Sequence, residues 1–453
     1  MSYRITVRGL CEFAAREGDL DVRYQAAPSA EEGIAGHQRI AARRGAGYQS
    51  EISLQGRFGL LEVRGRADGF DPQHQRLEEF KTHRGDWQRI PAAQQALHWA
   101  QLKVYGHLYC LEHELDEIEL ALVYLDIASE RESLLPQRFF AAELADFFEQ
   151  LCTIFLGWAE QELAHRAARD EALRQLSFPC ASFRLGQREL AAAVYRCARD
   201  GGQLLAQAPT GIGKTLGTLF PTLRALPEAG LDRLFFLCAR TPGRQLALDA
   251  LQQLPDARPL RVLELAARDT LCEQPGLPCQ GDACPLAAGF FDRLPAARQQ
   301  CVQAQRLDLP TLRRIAAEHR LCPYYLGQET ARWADLCIGD YNHCFDTNAL
   351  LHGLAQANQW RVALLIDEAH NLIERARGMY SAELVPRSLA AARQAAPKAL
   401  KSVLERVARR WSALQREHGL GVSGDEAGPL FATPAPTRQR LIPLPEALLK
   451  VLE

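Results

Sequence analysis

The stretch Gln203–Thr215 restricts what this chain can fold into more than any other. A short apolar run, Leu204, Leu205 and Ala206, reads as a strand. It enters a loop of mostly small residues, and Lys214-Thr215 then opens a helix. Small residues let backbone N–H groups close around a phosphate chain, and a helix N-terminus adds donors and a favourable dipole. Thr210, Gly211 and Gly213 are placed to do this. Lys214 is placed to reach the β- and γ-phosphates, and the Thr215 hydroxyl to hold Mg²⁺. Ala208 stands where the general pattern has its first glycine. ATP with Mg²⁺ is the expected ligand; an ordinary strand–turn–helix with a Gly-rich turn is the other reading of the same residues. Lysine scarcity adds weight. Basic residues are mostly Arg, and the lysines are Lys81, Lys103, Lys214, Lys398, Lys401 and Lys450, two of them at motif positions.

Upstream of the loop, Phe183–Gln187 carries Arg184 and Gln187. A Gln amide can pair with both the donor and the acceptor edge of adenine, so these two residues are expected at the base. Downstream, Leu234–Cys238 and Val362–Ile366 read as buried strands, the second ending in Asp367-Glu368-Ala369-His370. Apolar strands alternating with helices predict a mostly parallel sheet with ligand loops at its carboxyl ends. Asp367 suits a contact to Mg²⁺-bound water, and Glu368 can orient the attacking water. Together these features resemble a superfamily-two DEAH-box DNA helicase.

Between the two nucleotide motifs lie Cys272, Cys279, Cys284, Cys301 and Cys322, out of thirteen cysteines in all. The segments around Cys272, Cys279–Pro285 and Cys322–Tyr325 resemble the iron–sulfur insertion of XPD/DinG-type helicases. That resemblance implies a [4Fe–4S] cluster on Cys272, Cys279, Cys284 and Cys322, with Cys301 spare. Zn²⁺ is the alternative, since thiolates accept it too. Ala239–Thr241 and Asp340–His343 look like that family's flanking motifs, so the match spans about residues 183–375. Cys238, Cys337 and Cys344 read as buried, apolar-like residues.

The first 165 residues carry a different chemistry. Ser29-Ala30-Glu31-Glu32 is a capping-box pattern that predicts a helix to about Arg44, with Gly33 and His37 on one face. Arg57–Phe70 alternates as a strand, a turn follows at Asp71-Pro72, and a second strand runs over Arg76–Lys81. Glu79 and Lys81 project from one face of it. A helix over about 91–112 puts Gln101 and Tyr105 on one face; a strand (118–127) and a long helix (about 141–166) complete the unit. Asp68 and Glu79 on neighbouring strands can hold Mg²⁺ or Mn²⁺, with His37 beside them, and the ion activates a water that Lys81 positions or helps to deprotonate. This order resembles the RecB-like branch of the PD-(D/E)XK nucleases, which implies catalytic roles for Asp68, Glu79, Lys81, His37, Gln101 and Tyr105. Single acids at strand ends are usually just solvated, and a nuclease fold without activity is the main rival. Cys11, Cys110 and Cys152 lack the spacing of a cluster and read as structural.

The expected fold class is therefore α/β: a PD-(D/E)XK nuclease domain (1–165), a linker (166–182), and a RecA-like P-loop helicase domain (183–375). An iron–sulfur insertion occupies about 262–335, and the start of a helical arch domain fills 376–453. A chain of 453 residues has room for about two to four domains. Its net charge of −2 leaves any nucleic-acid surface local. The N-terminus lacks the apolar core of a signal peptide and no run suits a membrane span, so a cytoplasmic protein is expected. The resemblances imply a 5′→3′ DNA helicase coupled to a metal-dependent nuclease, acting on single-stranded DNA and DNA junctions in repair. No later helicase motif follows Glu374 in these residues, so feeble ATP turnover is expected. The alternative is a DNA-binding ATPase or helicase subunit whose nuclease-like domain binds without cutting, with any protein partner unknown.

Overall fold

The computed structural model describes residues 2–417 apart from 23–27, 29, 46 and 383–384. Ser29 of the capping pattern and residues 418–453 of the expected arch domain lie outside the described residues. The chain forms two compact units, 1–379 and 380–453. The first is a mixed α/β body built on two sheets.

The N-terminal sheet contains β1 (Tyr3–Thr6), β2 (Gln49–Phe58), β3 (Leu61–Asp71), β4 (Arg76–His83), β5 (Glu117–Asp126) and β6 (Arg131–Phe140). β2 pairs antiparallel with Leu61–Phe70 along one edge of β3. The other edge is shared: β1 runs parallel to Leu61–Arg64, whereas β4 pairs only with Gly69–Asp71. Residues 65–68 thus have no strand partner on that edge. The side chains that fill this gap make the site described below. Helices α1 (Val7–Ala14), α3 (Ala92–His113) and α4 (Ala141–Gln175) cover one face through Val7, Leu10, Leu102, Phe148 and Phe155. The opposite face, with Phe80, Val123 and Leu125, takes Ile40 of α2 (Ala30–Ala42). The strand expected over 57–70 is divided: Arg57 and Phe58 end β2, and Gly59, at φ +56°, turns the chain into β3.

The second sheet is wholly parallel, ordered β11 (Val362–Ile366), β7 (Arg233–Cys238), β10 (Leu336–Asp340), β8 (Val262–Glu264), β9 (Arg306–Leu307). Helices α5 (Gln187–Asp200), α6 (Lys214–Ala229) and α7 (Thr241–Gln252) precede the insertion, which carries α8 (Arg268–Leu271), α9 (Phe290–Ala304), α10 (Leu309–Glu318) and α11 (Pro323–Thr330). After β10 come α12 (Asn342–Phe345) and α13 (Leu350–Asn358), and after β11 comes α14 (Leu372–Met379). The described part of the second unit is two helices, α15 (Pro386–Ala395) and α16 (Lys398–Glu417).

Two expectations fail here. Leu204–Ala206 forms no strand, and Leu205 is 92% exposed. A three-residue run has too little surface to hold a ladder by itself. The linker at 166–182 is not a break either. The long helix passes its expected end and runs to Gln175, because its last turns are buried against the second sheet. Phe155 and Trp158 sit in the N-terminal core, while Leu173 packs with Leu219, Leu223 and Leu234.

Beside this junction, Asp335 (1% exposed) accepts from His165 Nε2 at 2.8 Å, Arg169 Nη1 at 2.9 Å and the Arg261 backbone N–H at 2.9 Å. Burial opposes its charge, yet the His165 hydrogen bond and the Arg169 and Arg233 guanidiniums hold its carboxyl well below the usual range. Arg261 also pairs with buried Glu162. A buried charge this fully paired fixes the helix in one register on the second sheet.

Candidate functional site

In the gap on the β3 edge, the backbone of β3 is met by side chains. Asp68 Oδ2 accepts the Phe80 backbone N–H at 2.6 Å, and its Oδ1 meets His37 Nδ1 at 3.1 Å. One backbone N–H beside this opening is thus satisfied by an expected site residue. Gly65 leaves room for Tyr105, since a Cβ there would come within 2.5 Å of the Tyr105 ring. On β4, Lys81 Nζ donates to Glu79 Oε1 at 2.7 Å and to Gln101 Oε1 at 3.3 Å. All six residues singled out in the sequence are brought to one place.

Two contributions were not foreseen. The residue that lets α2 approach β4 is Gly36, where a Cβ would sit 2.5 Å from Thr82 Cγ2; at Gly33 there is room. The Phe80 N–H that orients Asp68 is a backbone group and has no sequence signature.

Glu79 is 6% exposed, and its Oε2 has no hydrogen-bond partner among the described residues. Burial raises its pKa above the usual carboxylate range, against the lowering effect of Lys81. An unsatisfied buried carboxylate oxygen beside Asp68 fits a hard divalent cation, which would supply the missing charge and complete its shell with water. As the side chains stand, no three His, Cys, Asp or Glu groups among the described residues converge tightly enough to hold an ion.

The raised pKa has a measurable consequence. As pH rises past the unfolded value of about 4.5, the unfolded chain releases this proton before the folded chain does. Metal-free protein therefore loses stability on going from pH 5 to pH 8. Glu79→Gln lacks that loss, and its advantage over wild type at pH 8 is on the order of 2 kcal/mol relative to pH 5. Urea unfolding in EDTA at the two pH values checks this; a constant difference between the two proteins would refute it.

At the second sheet, Gly213 (φ +81°) caps α6, and Lys214 is that helix's first residue. Lys214 Nζ lies 3.4 Å from Ala208 O and 3.5 Å from Glu368 Oε1. The loop thus faces the Asp367-Glu368 turn, with one cation between carbonyl and carboxylate. That turn is held in place: Asp367 N donates to Leu237 O at 2.8 Å, and the Tyr341 hydroxyl donates to the carbonyls of Asp367 and Glu368. Glu368 takes the left-handed region at φ +50°, an uncommon place for a non-glycine residue. Burial and the neighbouring Glu368 raise the Asp367 pKa, and Lys214 opposes them. Gln187 and Arg184, expected at adenine, serve the loop in this structure. Gln187 is 3% exposed, its Oε1 accepts the Arg184 N–H at 3.0 Å, and its Nε2 donates to Gly213 O at 3.1 Å. Arg184 donates to Gly211 O. Arg375, which the sequence reading did not single out, clamps Asp340 and Asn342 through Nη2.

The insertion brings Cys272, Cys279, Cys284 and Cys322 to the wall of one small pocket, together with Leu20, Leu277, Ala287 and Tyr325. Cys284 and Cys322 are buried, and the other two are half-buried. Burial raises the Cys322 pKa, and the backbone at Tyr325 and Tyr324 works against that rise. Four soft thiols fit an iron–sulfur cluster in donor chemistry. As the side chains stand, they do not form a ligand set for an ion among the described residues. Cys301 lies in the apolar interior of α9 and does not reach this pocket. Cys11, Cys110, Cys152, Cys238, Cys337 and Cys344 are all buried.

Residues 278–389 match the DEAD_2 family model. The chain is 24% identical over 287 residues to the regulator of telomere elongation helicase 1 homolog of Anopheles gambiae, covering 51% of this chain and 28% of that protein. It is 24% identical over 256 residues to regulator of telomere elongation helicase 1 of Bos taurus, covering 45% of this chain and 21% of that protein. An XPD helicase structure aligns with 51% of this chain and 40% of its own, at 17% identity and a TM-score of 0.37. The chain thus spans under a third of the length of these sequence relatives. Both sequence relatives are named as helicases. Among the described residues, no helix is long and apolar enough to cross a membrane.

Proposed function

We propose that this chain is the ATP-binding and DNA-cutting part of an XPD/DinG-type DNA helicase. Residues 1–165 are a PD-(D/E)XK nuclease unit, about 183–375 are the first motor unit with its iron–sulfur insertion, and 376–453 begin an arch. The observation that carries the nuclease half is the gathering of Asp68, Glu79, Lys81, His37, Gln101 and Tyr105 around one opening in the sheet, with Glu79 Oε2 left unpaired. The motor half is supported by Lys214 facing Glu368 across the loop and by the DEAD_2 match.

In this reading Asp68 and Glu79 hold Mg²⁺ or Mn²⁺, which supplies an activated water and takes up charge on the phosphodiester. Lys81 orients that water, Gln101 holds Lys81, His37 fixes Asp68, and Tyr105 keeps the strand opening in shape. At the other site, Lys214 neutralises phosphate charge, while Asp367 and Glu368 serve the Mg²⁺-bound and attacking waters. Cys272, Cys279, Cys284 and Cys322 hold a [4Fe–4S] cluster. The partner is single-stranded DNA and DNA junctions.

The test is end-labelled single-stranded DNA incubated with wild-type protein and Mg²⁺ or Mn²⁺, without ATP. Metal-dependent shortening is expected, and the position of the label gives the polarity. Intact DNA under both metals would favour the second reading, a unit that binds DNA without cutting it. That reading has one observation on its side: among the described residues, no three ligands converge.

A further inference from the structure

The pocket of four cysteines belongs to the insertion by sequence, yet one of its walls does not. Leu20, which follows α1 of the N-terminal sheet unit, is 7% exposed and lines it beside Cys284 and Cys322. The chain around Leu20 is tied down residue by residue. Gly18 N donates to Asp292 Oδ1 at 2.7 Å, and Phe291 N donates to Gly18 O at 3.0 Å. Asp19 Oδ1 accepts the Gly289 N–H at 2.6 Å. Leu20 N donates to Ala287 O and Val22 N to Cys279 O, both at 2.9 Å. The Arg16 guanidinium lies 3.8 Å from the centre of the Phe291 ring. Gly281 completes the fit: a Cβ there would overlap the Asp19 carboxylate.

We propose that Gly18–Val22 is a strap from the N-terminal unit that closes the four-cysteine pocket and shields its buried thiols, so that the state of the pocket and the docking of that unit are linked. Val22 is bonded to the backbone of Cys279 itself, so a shift of that cysteine is felt directly by the strap. The strap lies in the chain between α1, whose Val7, Leu10 and Cys11 are in the N-terminal core, and α2, which carries His37. By linkage, whatever fills the pocket favours the docked strap, and the docked strap slows its loss. Shielding of a bound group rests on the iron–sulfur reading above; shielding of the thiols does not.

Two variants of the full chain attack the strap from opposite sides: Leu20→Asp from the strap and Gly281→Ala from the insertion. In metal-free protein, alkylation by N-ethylmaleimide is followed at each cysteine by mass spectrometry. Cys284 and Cys322 are expected to react at least about ten-fold faster in both variants, the change in open population that losing a buried apolar contact brings. Cys337, wholly buried in β10, reports general unfolding and should not change. In protein reconstituted with iron and sulfide, visible absorbance should bleach faster with an iron chelator in both variants than in wild type. Labelling at the wild-type rate in both variants, or a rise that Cys337 shares, overturns the strap. A wild type that takes up no iron, but whose Cys284 and Cys322 are unmasked in both variants, supports the strap and overturns only the cluster reading.

Discussion

DNA cutting by Glu79→Ala is expected to fall about a thousand-fold or more below wild type, the scale of losing a metal-activated water together with its positioning. The size follows from the geometry. Glu79 is one of two carboxylates at the opening, its Oε1 holds Lys81 at 2.7 Å, and its Oε2 is the free ligand atom. One substitution therefore removes a metal ligand and releases the ammonium. Lys81→Ala should also lose cutting, by about a hundred-fold or more, but for a different reason, since both carboxylates survive. The two variants separate in metal binding: calorimetry with Mn²⁺ should show weakened binding in Glu79→Ala and retained binding in Lys81→Ala. If Lys81→Ala cuts as well as wild type, Lys81 has no part in the chemistry, and any cutting must come from elsewhere.

ATP binding should weaken about ten- to hundred-fold in Lys214→Ala, the loss of a charge-assisted contact to phosphate. In this structure the Lys214 ammonium lies between Ala208 O and the Glu368 carboxylate, so its removal also leaves Asp367 and Glu368 facing each other without a cation. Repulsion between those acids and the phosphates adds to the loss. Titration with a fluorescent ATP analogue in Mg²⁺ reads the change; affinity within two-fold of wild type would remove Lys214 from the phosphate site.

Much of both sites was legible from residue order. Asp68, Glu79, Lys81, His37, Gln101 and Tyr105 could be named because their order resembles that of a nuclease family, and helical and strand spacings put several of them on shared faces. The same holds for Lys214 with Asp367 and Glu368, and for the four cysteines that share a pocket. Backbone partners left no such trace. The Phe80 N–H on Asp68 belongs to a position that any residue except proline could occupy, and the left-handed turn at Glu368 falls on a residue type that does not announce it. Gly36 was passed over in favour of Gly33 because two glycines on one helix look alike until the distance to Thr82 is known.

Boundaries were the weakest part of the reading. A linker is expected at 166–182, but α4 continues to Gln175 on the strength of Arg169 and Leu173, whose partners lie far away in the chain at Asp335 and Leu234. Leu204–Ala206 failed in the opposite direction. A strand is stable only through its neighbours, and an apolar run cannot say whether neighbours are present.

The sequence alone named the residues on which the proposed chemistry rests: acids, lysines and cysteines at spacings suited to a divalent ion, a nucleotide and a soft metal. It did so because local spacing and residue type are local properties. Only the tertiary structure decided how these sites are built and joined. It opened β3 between β1 and β4, ran one helix through both cores, set Gln187 and Arg184 on the phosphate loop, and laid Leu20 of the N-terminal unit over the cysteine pocket. Each depends on contacts between residues far apart in the chain, whose closing distances no local pattern encodes.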